Sequence, residues 1–225
     1  MEMQKTKIEY VDYAWNVVKG KCKHKCFYCY MNSFYERFKF DEKIRFSEGE
    51  FNCSFPKKPS SIFVSSNHDL LGEWIDRYWI KRIIEKANFY PQHTFLFLTK
   101  NPIRYSEFEF SENCWLGATI EYQLNMNRIV PFIKMKHKNN FISFEPLLNG
   151  VELLSFFWKY FKWIIVGALT GKYAKQYIPQ KEWVDKIIEQ AGEYDVPVFV
   201  KDNLLKLYPQ YKEYRDIPYL WEKKQ

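Results

Sequence analysis

Seven short apolar runs, separated by amphipathic helical stretches, constrain this 225-residue chain more than any other feature. The runs cover residues 14–18, 61–66, 94–99, 115–120, 140–144, 163–167 and 196–201, and they are rich in β-branched and aromatic side chains. Several are unbroken, as expected of strands buried on both faces. Strands alternating with helices form repeated βα units around a parallel sheet, so the pattern predicts an α/β fold.

The intervening stretches carry a 3.6-residue stripe. Trp74, Ile75, Tyr78, Trp79, Ile83 and Ile84 make one apolar face, with Asp76, Arg77, Lys81 and Lys86 off it; Trp183, Val184, Ile187, Ile188 and Ala191 make another. A weaker helical pattern spans 125–135, where Pro131 must sit in a first turn. Residues 31–60 read as a helix followed by an irregular excursion, a lid or a long surface connection. The length fits a single domain, 1–225, with a Tyr-, Lys- and Pro-rich tail, 203–225, packed on the barrel.

Hydrophobic residues are 47% and aromatic residues 20% of the chain, enough to offset chain entropy, which excludes global disorder. No stretch approaches 18 consecutive apolar residues and the first residues lack a signal-peptide core, so a soluble, cytoplasmic protein with no membrane contact is expected. Five cysteines, three of them clustered, argue for a reducing compartment rather than a disulfide framework. Lys and Arg number 34 against 27 Asp and Glu, a net charge of +7 that would favour a polyanionic partner such as nucleic acid, although scattered lysines more often describe only a solvated surface.

The clustered cysteines form the eight-residue motif Cys22-Lys-His-Lys-Cys26-Phe-Tyr-Cys29. Three thiolates at this spacing can hold three irons of one cubane cluster, leaving a fourth iron open. Other readings of the same residues are a zinc site completed by His24 or a distant Cys, a redox thiol cluster, or coincidence. Zinc is disfavoured because no second Cys-x-x-Cys or His-x3-His supplies further ligands, and Cys53 and Cys114 repeat no ligand spacing.

With Tyr28 before the last cysteine, the motif resembles the signature of the radical S-adenosylmethionine (SAM) superfamily. The resemblance extends through Trp15-Asn16, Phe63-Val-Ser-Ser-Asn-His-Asp69-Leu, Gln92-His-Thr-Phe-Leu-Phe-Leu-Thr-Lys100, Trp115-Leu-Gly-Ala-Thr-Ile-Glu121, Phe141-Ile-Ser-Phe-Glu145-Pro-Leu-Leu and Trp163-Ile-Ile-Val-Gly167. In that order these segments look like a group of phage and prokaryotic radical-SAM-like proteins of unknown function, the phage-protein Gp37/Gp68 type. Two places depart from the group: Val17 replaces a proline, and Gly167-Ala-Leu-Thr-Gly171 replaces a Glu-containing loop.

The resemblance implies an incomplete TIM-type barrel of about six to seven parallel βα units, since barrels place their sites at the C-terminal strand ends. It implies a 4Fe-4S cluster on Cys22, Cys26 and Cys29, SAM on the open iron, and a 5′-deoxyadenosyl radical that removes hydrogen from a substrate, weakly favoured to be nucleic acid or a nucleotide. A reducing electron donor such as ferredoxin or flavodoxin is implied as a partner. Tyr28 is the candidate for adenine contact and Ser65, Ser66 and Asn67 for the SAM amino end, with an ordinary Asx turn as the plain alternative. Thr119 and Glu121 fit ribose or methionine contacts, or Glu121 is simply solvated. Lys100 and Ser143 complete the candidate cofactor contacts, and Asp69, Thr99, Thr170 and Asp202 share the same strand-end positions.

Glu145 and Lys201 are the candidate catalytic pair: Glu145 can orient SAM, substrate or a proton, or pair with Lys100 or Lys201 as a structural ion pair. His24 reads as exposed on the cluster loop, and His68 and His93 have no ligand spacing. The rival from another class is a non-catalytic nucleic-acid-binding protein with structural zinc.

Overall fold

The computed structural model describes residues 3–218. Seven parallel strands make one sheet: β1 (Tyr13–Trp15), β4 (Ser61–Val64), β5 (Thr94–Thr99), β6 (Cys114–Thr119), β7 (Asn140–Phe144), β8 (Trp163–Val166) and β9 (Val198–Val200), neighbours in that order. Parallel strands in sequence order need crossover connections, which are α1 (Tyr30–Phe38), α2 (Glu48–Phe51), α3 (Arg77–Asn88), α4 (Pro131–Lys134), α5 (Lys181–Glu193) and intervening 3₁₀ turns. A short helix, α6 (Asp202–Leu205), follows β9. This is the topology of an incomplete TIM-type barrel.

The chain divides into two compact units, Met1–Trp115 and Leu116–Gln225. In the first, Trp15 at the end of β1 is fully buried and its ring meets Phe51 at 6.1 Å, Phe55 edge-on at 5.0 Å and Phe95 at 6.3 Å. The indole N–H donates to the Glu50 carbonyl at 2.9 Å, so even the polar tip of this ring is satisfied. In the second, Phe141, Trp163 and Phe199 are buried on three successive strands, with ring centroids 5.6 and 6.4 Å apart. The aromatic excess is first of all core.

Helix α3 starts later than the apolar stripe suggested. Asp76 caps it by accepting from the Tyr78 N–H at 2.8 Å, so Trp74 and Ile75 precede the helix. The phase then puts Ile80, Ile83, Ile84 and Ala87 inward and leaves Tyr78 exposed, against the expectation for that residue. The 125–135 pattern splits into a 3₁₀ turn, Gln123–Ile129, and α4, where Pro131 takes the first position because no N–H is needed there.

Two features escape the periodic pattern. Residues Val17 and Val18 leave the main sheet, and a two-stranded antiparallel ladder pairs β2 (Val18–Lys19) with β3 (Arg45–Phe46). This ladder closes a loop of residues 20–44, which carries the Cys motif and α1. Gly20, at φ +100°, makes the turn; a Cβ there would lie 2.4 Å from the Lys43 carbonyl oxygen. Gly20→Ala is therefore expected to cost about 1–3 kcal/mol, read as a lowered urea midpoint, because strain and backbone clash act together.

At the other edge, the tail runs along β9. Phe199 and Arg215 form an antiparallel bridge, the Val200 N–H donates to the Tyr214 carbonyl at 2.8 Å, and the Trp163 indole donates to the Asp216 carbonyl at 2.8 Å. An edge strand otherwise exposes unpaired backbone groups, and these residues cover it. The last part of the 203–225 expectation, residues 219–225, lies outside the described residues. No helix among the described residues is long and apolar enough to cross a membrane.

Candidate active site

The first unit places the Cys motif between β2 and α1. Cys29 is the residue just before α1, its N–H closing a turn onto the Cys26 carbonyl at 3.1 Å, while Lys25 takes a left-handed turn at φ +52°. The Asn32 side-chain amide also donates to the Cys26 carbonyl, at 3.3 Å. Cys22, Cys26 and Cys29 are all half-buried free thiols. Burial pushes the Cys22 and Cys29 thiols up, opposed by the backbone of His24 and Asp69 at Cys22 and of Met31 and Asn32 at Cys29. Such thiols ionise readily only when a cation pairs with them, which a thiolate-binding metal provides. By contrast Cys114 is fully buried and pushed up to about 12 by burial, and Cys53 is also buried and raised, so both are core residues.

Asp69 ties the Cys loop to two strand ends. One carboxylate oxygen accepts from the Leu71 N–H at 3.0 Å and the Thr99 hydroxyl at 2.7 Å; the other accepts from the Lys100 N–H at 2.9 Å and lies 2.6 Å from His24 Nε2. Burial alone would push this carboxyl up, yet the His24 bond and the backbone and hydroxyl donors outweigh it and hold it below its ordinary value. His24 is thus half-buried and anchored, edge-on to the Trp74 ring at 4.8 Å, rather than exposed on its loop.

The loop after β4 is polar, buried and incompletely satisfied. Ser65 adopts φ +59°, a strained conformation for a residue with a Cβ. Ser65 Oγ, Asn67 Oδ1, His68 Nε2 and Trp74 Nε1 are buried without a protein partner, four such atoms within ten residues. Native proteins leave few buried polar atoms unpaired, so a cluster of them marks a place that ordered water or a polar ligand can complete. His68 donates from Nδ1–H to the Asp69 carbonyl, 3.1 Å away, and burial holds its imidazole below its ordinary value. Ser66 is committed elsewhere, to Asn16 at 3.1 Å. Lys100 donates through Nζ to the Tyr28 hydroxyl and lies 5.1 Å from the centre of that ring. Tyr28, Ser65, Asn67 and Lys100 therefore share one locality with the three cysteines.

The second unit holds the remaining candidates in two groups. Glu121 is buried and ion-paired to Arg128 at 2.6 Å, and the same guanidinium donates to the Thr119 carbonyl at 2.7 Å. With its amide turned to satisfy both groups, Asn125 donates to Glu121 at 2.9 Å and accepts from Arg128 at 3.3 Å. The alternative of a solvated Glu121 is thereby overturned. Ser143, on β7, is fully buried with its hydroxyl unpartnered.

Glu145, just past β7, pairs with Lys201, just past β9. Gly167 makes room for them: a Cβ there would meet Lys201 Cδ at 3.0 Å and Glu145 Cγ at 3.3 Å. Asn203 clamps the same turn, accepting from the Ala168 N–H at 3.1 Å and donating to its carbonyl at 2.7 Å. Arg128 and Asn203 carried no signal in the sequence, because each acts through a partner distant in the fold or in an irregular turn.

Among the described residues, no three His, Cys, Asp or Glu side chains converge on a point that could hold a single metal ion. A cubane cluster makes a different demand, one thiolate for each iron, and three half-buried free thiols on one loop fit it.

Comparison with solved structures gives a shared fold at low identity. A variant of spore photoproduct lyase with bound AdoMet and dinucleoside spore photoproduct superimposes with a TM-score of 0.63 at 12% identity, covering 88% of this chain and 78% of that one. Spore photoproduct lyase complexed with dinucleoside spore photoproduct gives 0.61 at 11% identity, again over 88% and 78%. A further variant of that lyase gives 0.63 at 12% identity over 89% and 78%. No curated protein matches the sequence. The family model described as "Protein of unknown function (DUF5131)" matches residues 5–205, and the chain belongs to that family.

Proposed function

We propose that this chain is a radical SAM enzyme in which Cys22, Cys26 and Cys29 hold a 4Fe-4S cluster and SAM occupies its open iron. The observation that carries the reading is the motif's place: three free thiols after the first strand of an incomplete barrel, packed against a loop of unsatisfied buried polar atoms. When bound, the reduced cluster and SAM supply a 5′-deoxyadenosyl radical for hydrogen abstraction, chemistry that belongs to the cofactors. The superposition with an AdoMet-bound lyase supports the assignment of SAM.

The protein's own part is to hold and orient. Asp69 fixes the Cys loop through His24 and ties it to Thr99 and Lys100. Ser65 Oγ and Asn67 Oδ1 offer acceptors suited to the SAM ammonium, with Ser66 shaping the turn through Asn16. Tyr28, with its hydroxyl held by Lys100, presents a ring face for adenine. In the second unit, Thr119, Glu121 and Ser143 are assigned to cofactor contacts by their strand-end positions, Glu121 acting with the Arg128 that it binds. Glu145 and Lys201 are assigned to hold or move a proton.

The substrate is proposed to be nucleic acid or a nucleotide, in keeping with the +7 charge and with the dinucleoside present in the similar lyase structures. An electron donor of the ferredoxin or flavodoxin kind and a cytoplasmic, reducing setting complete the reading, which suits free thiols. The ordered segments from Trp15 to Gly167 support placing the family with the phage-protein Gp37/Gp68 type. Purified without oxygen, the protein is expected to contain iron and sulfide, and Cys26→Ala to lose both. Stoichiometric zinc in place of iron would overturn the proposal.

A further inference from the structure

Five large aromatic side chains in the segment 27–40 face solvent. Phe27, Tyr30, Phe34, Phe38 and Phe40 are each between 42 and 51% exposed, whereas the one fully inward residue of α1 is Tyr35. Tyr30, Phe34 and Phe38 recur every four residues and so form one row along the helix, rising about 6 Å per step. The rings touch in series: Tyr30 meets Phe34 edge-on at 5.9 Å, Phe34 stacks on Phe38 at 5.8 Å with planes 18° apart, and Phe38 stacks on Phe40 at 5.5 Å with planes 21° apart. A solvated helix face has no need of such a row, and contiguous exposed apolar surface marks an interaction site.

The charge around the row is one-sided. Residues 21–45 contain seven basic side chains against three acidic ones. Two of the acids are engaged locally, Glu42 by Lys21 at 2.7 Å and Asp41 by Arg45 at 2.7 Å, while Lys23, Lys25, Lys39 and Lys43 stand exposed. The Arg37 guanidinium lies over the Phe38 ring at 5.1 Å. This 25-residue segment thus holds a surplus of four positive charges out of the chain's +7.

We propose that this row is a docking surface for single-stranded nucleic acid. Near-parallel rings interleaved with cations are what an unpaired strand takes: bases stack on the rings and phosphates meet the lysines. An acidic protein partner would use the lysines but has no requirement for coplanar stacked rings. The row also starts at the candidate site, since Tyr30 follows Cys29 directly and its hydroxyl donates to the Ser66 carbonyl at 3.4 Å. A strand lying along α1 therefore has one end beside the loop after β4. The inference rests on the nucleic-acid reading of the substrate, yet it concerns binding alone and is tested without turnover.

The test uses the anaerobically purified protein and a short, fluorescently labelled single-stranded DNA. Phe34→Ala and Phe38→Ala are each expected to weaken binding about fivefold to a hundredfold, the loss of one stacked base. Lys39→Glu is expected to weaken it too and to reduce the slope of log affinity against log salt by about 0.7, one phosphate contact. The rings are on the surface, so unchanged iron content and circular dichroism show that the variants stay folded. Duplex DNA of the same sequence is expected to bind more weakly and to be indifferent to the ring variants. Wild-type affinity in both ring variants overturns the proposal. So does a result in which those variants instead lose flavodoxin binding or self-association and keep the oligonucleotide. Iron, sulfide and 5′-deoxyadenosine are measured on the same samples, so failure of the catalytic reading is seen separately from failure of the surface.

Discussion

Asp69→Ala is expected to lower the free energy of unfolding by about 3–5 kcal/mol, because several buried donors lose their acceptor together and each one left unsatisfied costs about 1–3 kcal/mol. The carboxylate takes four contacts from four places, and all four lose their partner at once. Asp69→Asn is no remedy, because each oxygen serves two donor groups and the amide nitrogen must face one such set. The consequence extends beyond stability. With His24 released, the Cys loop loses its tie to Asp69 and keeps the Lys100 bond to Tyr28 at its far end, so the variant is expected to retain iron poorly even when folded. Urea unfolding measures the first effect and iron content per chain the second. An Asp69→Ala protein with wild-type stability and iron would refute the anchoring role.

Arg128→Ala is expected to have an effect of similar size in the second unit. It removes the cation paired with the buried Glu121, and removing one partner of a buried ion pair costs about 3–5 kcal/mol. The double variant Glu121→Gln with Arg128→Met is expected to recover part of the loss, since no unpaired charge remains. Urea midpoints of the two single variants and the double variant give the coupling. Additive losses, with no recovery, would show that the pair is not the stabilising unit.

The sheet was legible because its strands are buried on both faces and short. Thr94–Thr99 and Asn140–Phe144 were expected and observed with the same bounds, since an apolar run flanked by polar residues has few other places to go. Strand β1 is shorter than expected because Val18 pairs with Phe46 instead, and a two-residue ladder has no period to detect. Tyr78 was misplaced because the cap at Asp76, not the apolar stripe, sets the phase of α3.

The candidate site was legible only as chemistry in sequence. Three cysteines at fixed spacing are a local pattern, and the structure keeps them together on one loop. His24 and Asp69 lie 45 residues apart, and nothing in either neighbourhood predicts that they bond. Arg128 looked like one cation in a weak helix, although it organises Thr119 and Glu121. The aromatic row on α1 falls in the segment read in sequence as a helix leading into a lid or surface connection, and only the helix phase shows that its rings face water. Long-range pairing and solvent exposure are tertiary properties, and they account for most of what the pattern of residues did not reveal.

The electron paramagnetic resonance spectrum of the reduced protein, recorded before and after addition of SAM, tests the central claim most directly. SAM bound to an open iron changes the cluster's ligand field. The account predicts a 4Fe-4S signal whose line shape shifts with SAM and is missing in Cys26→Ala. A reduced protein with no cluster signal, or with one that SAM leaves unchanged, would contradict it.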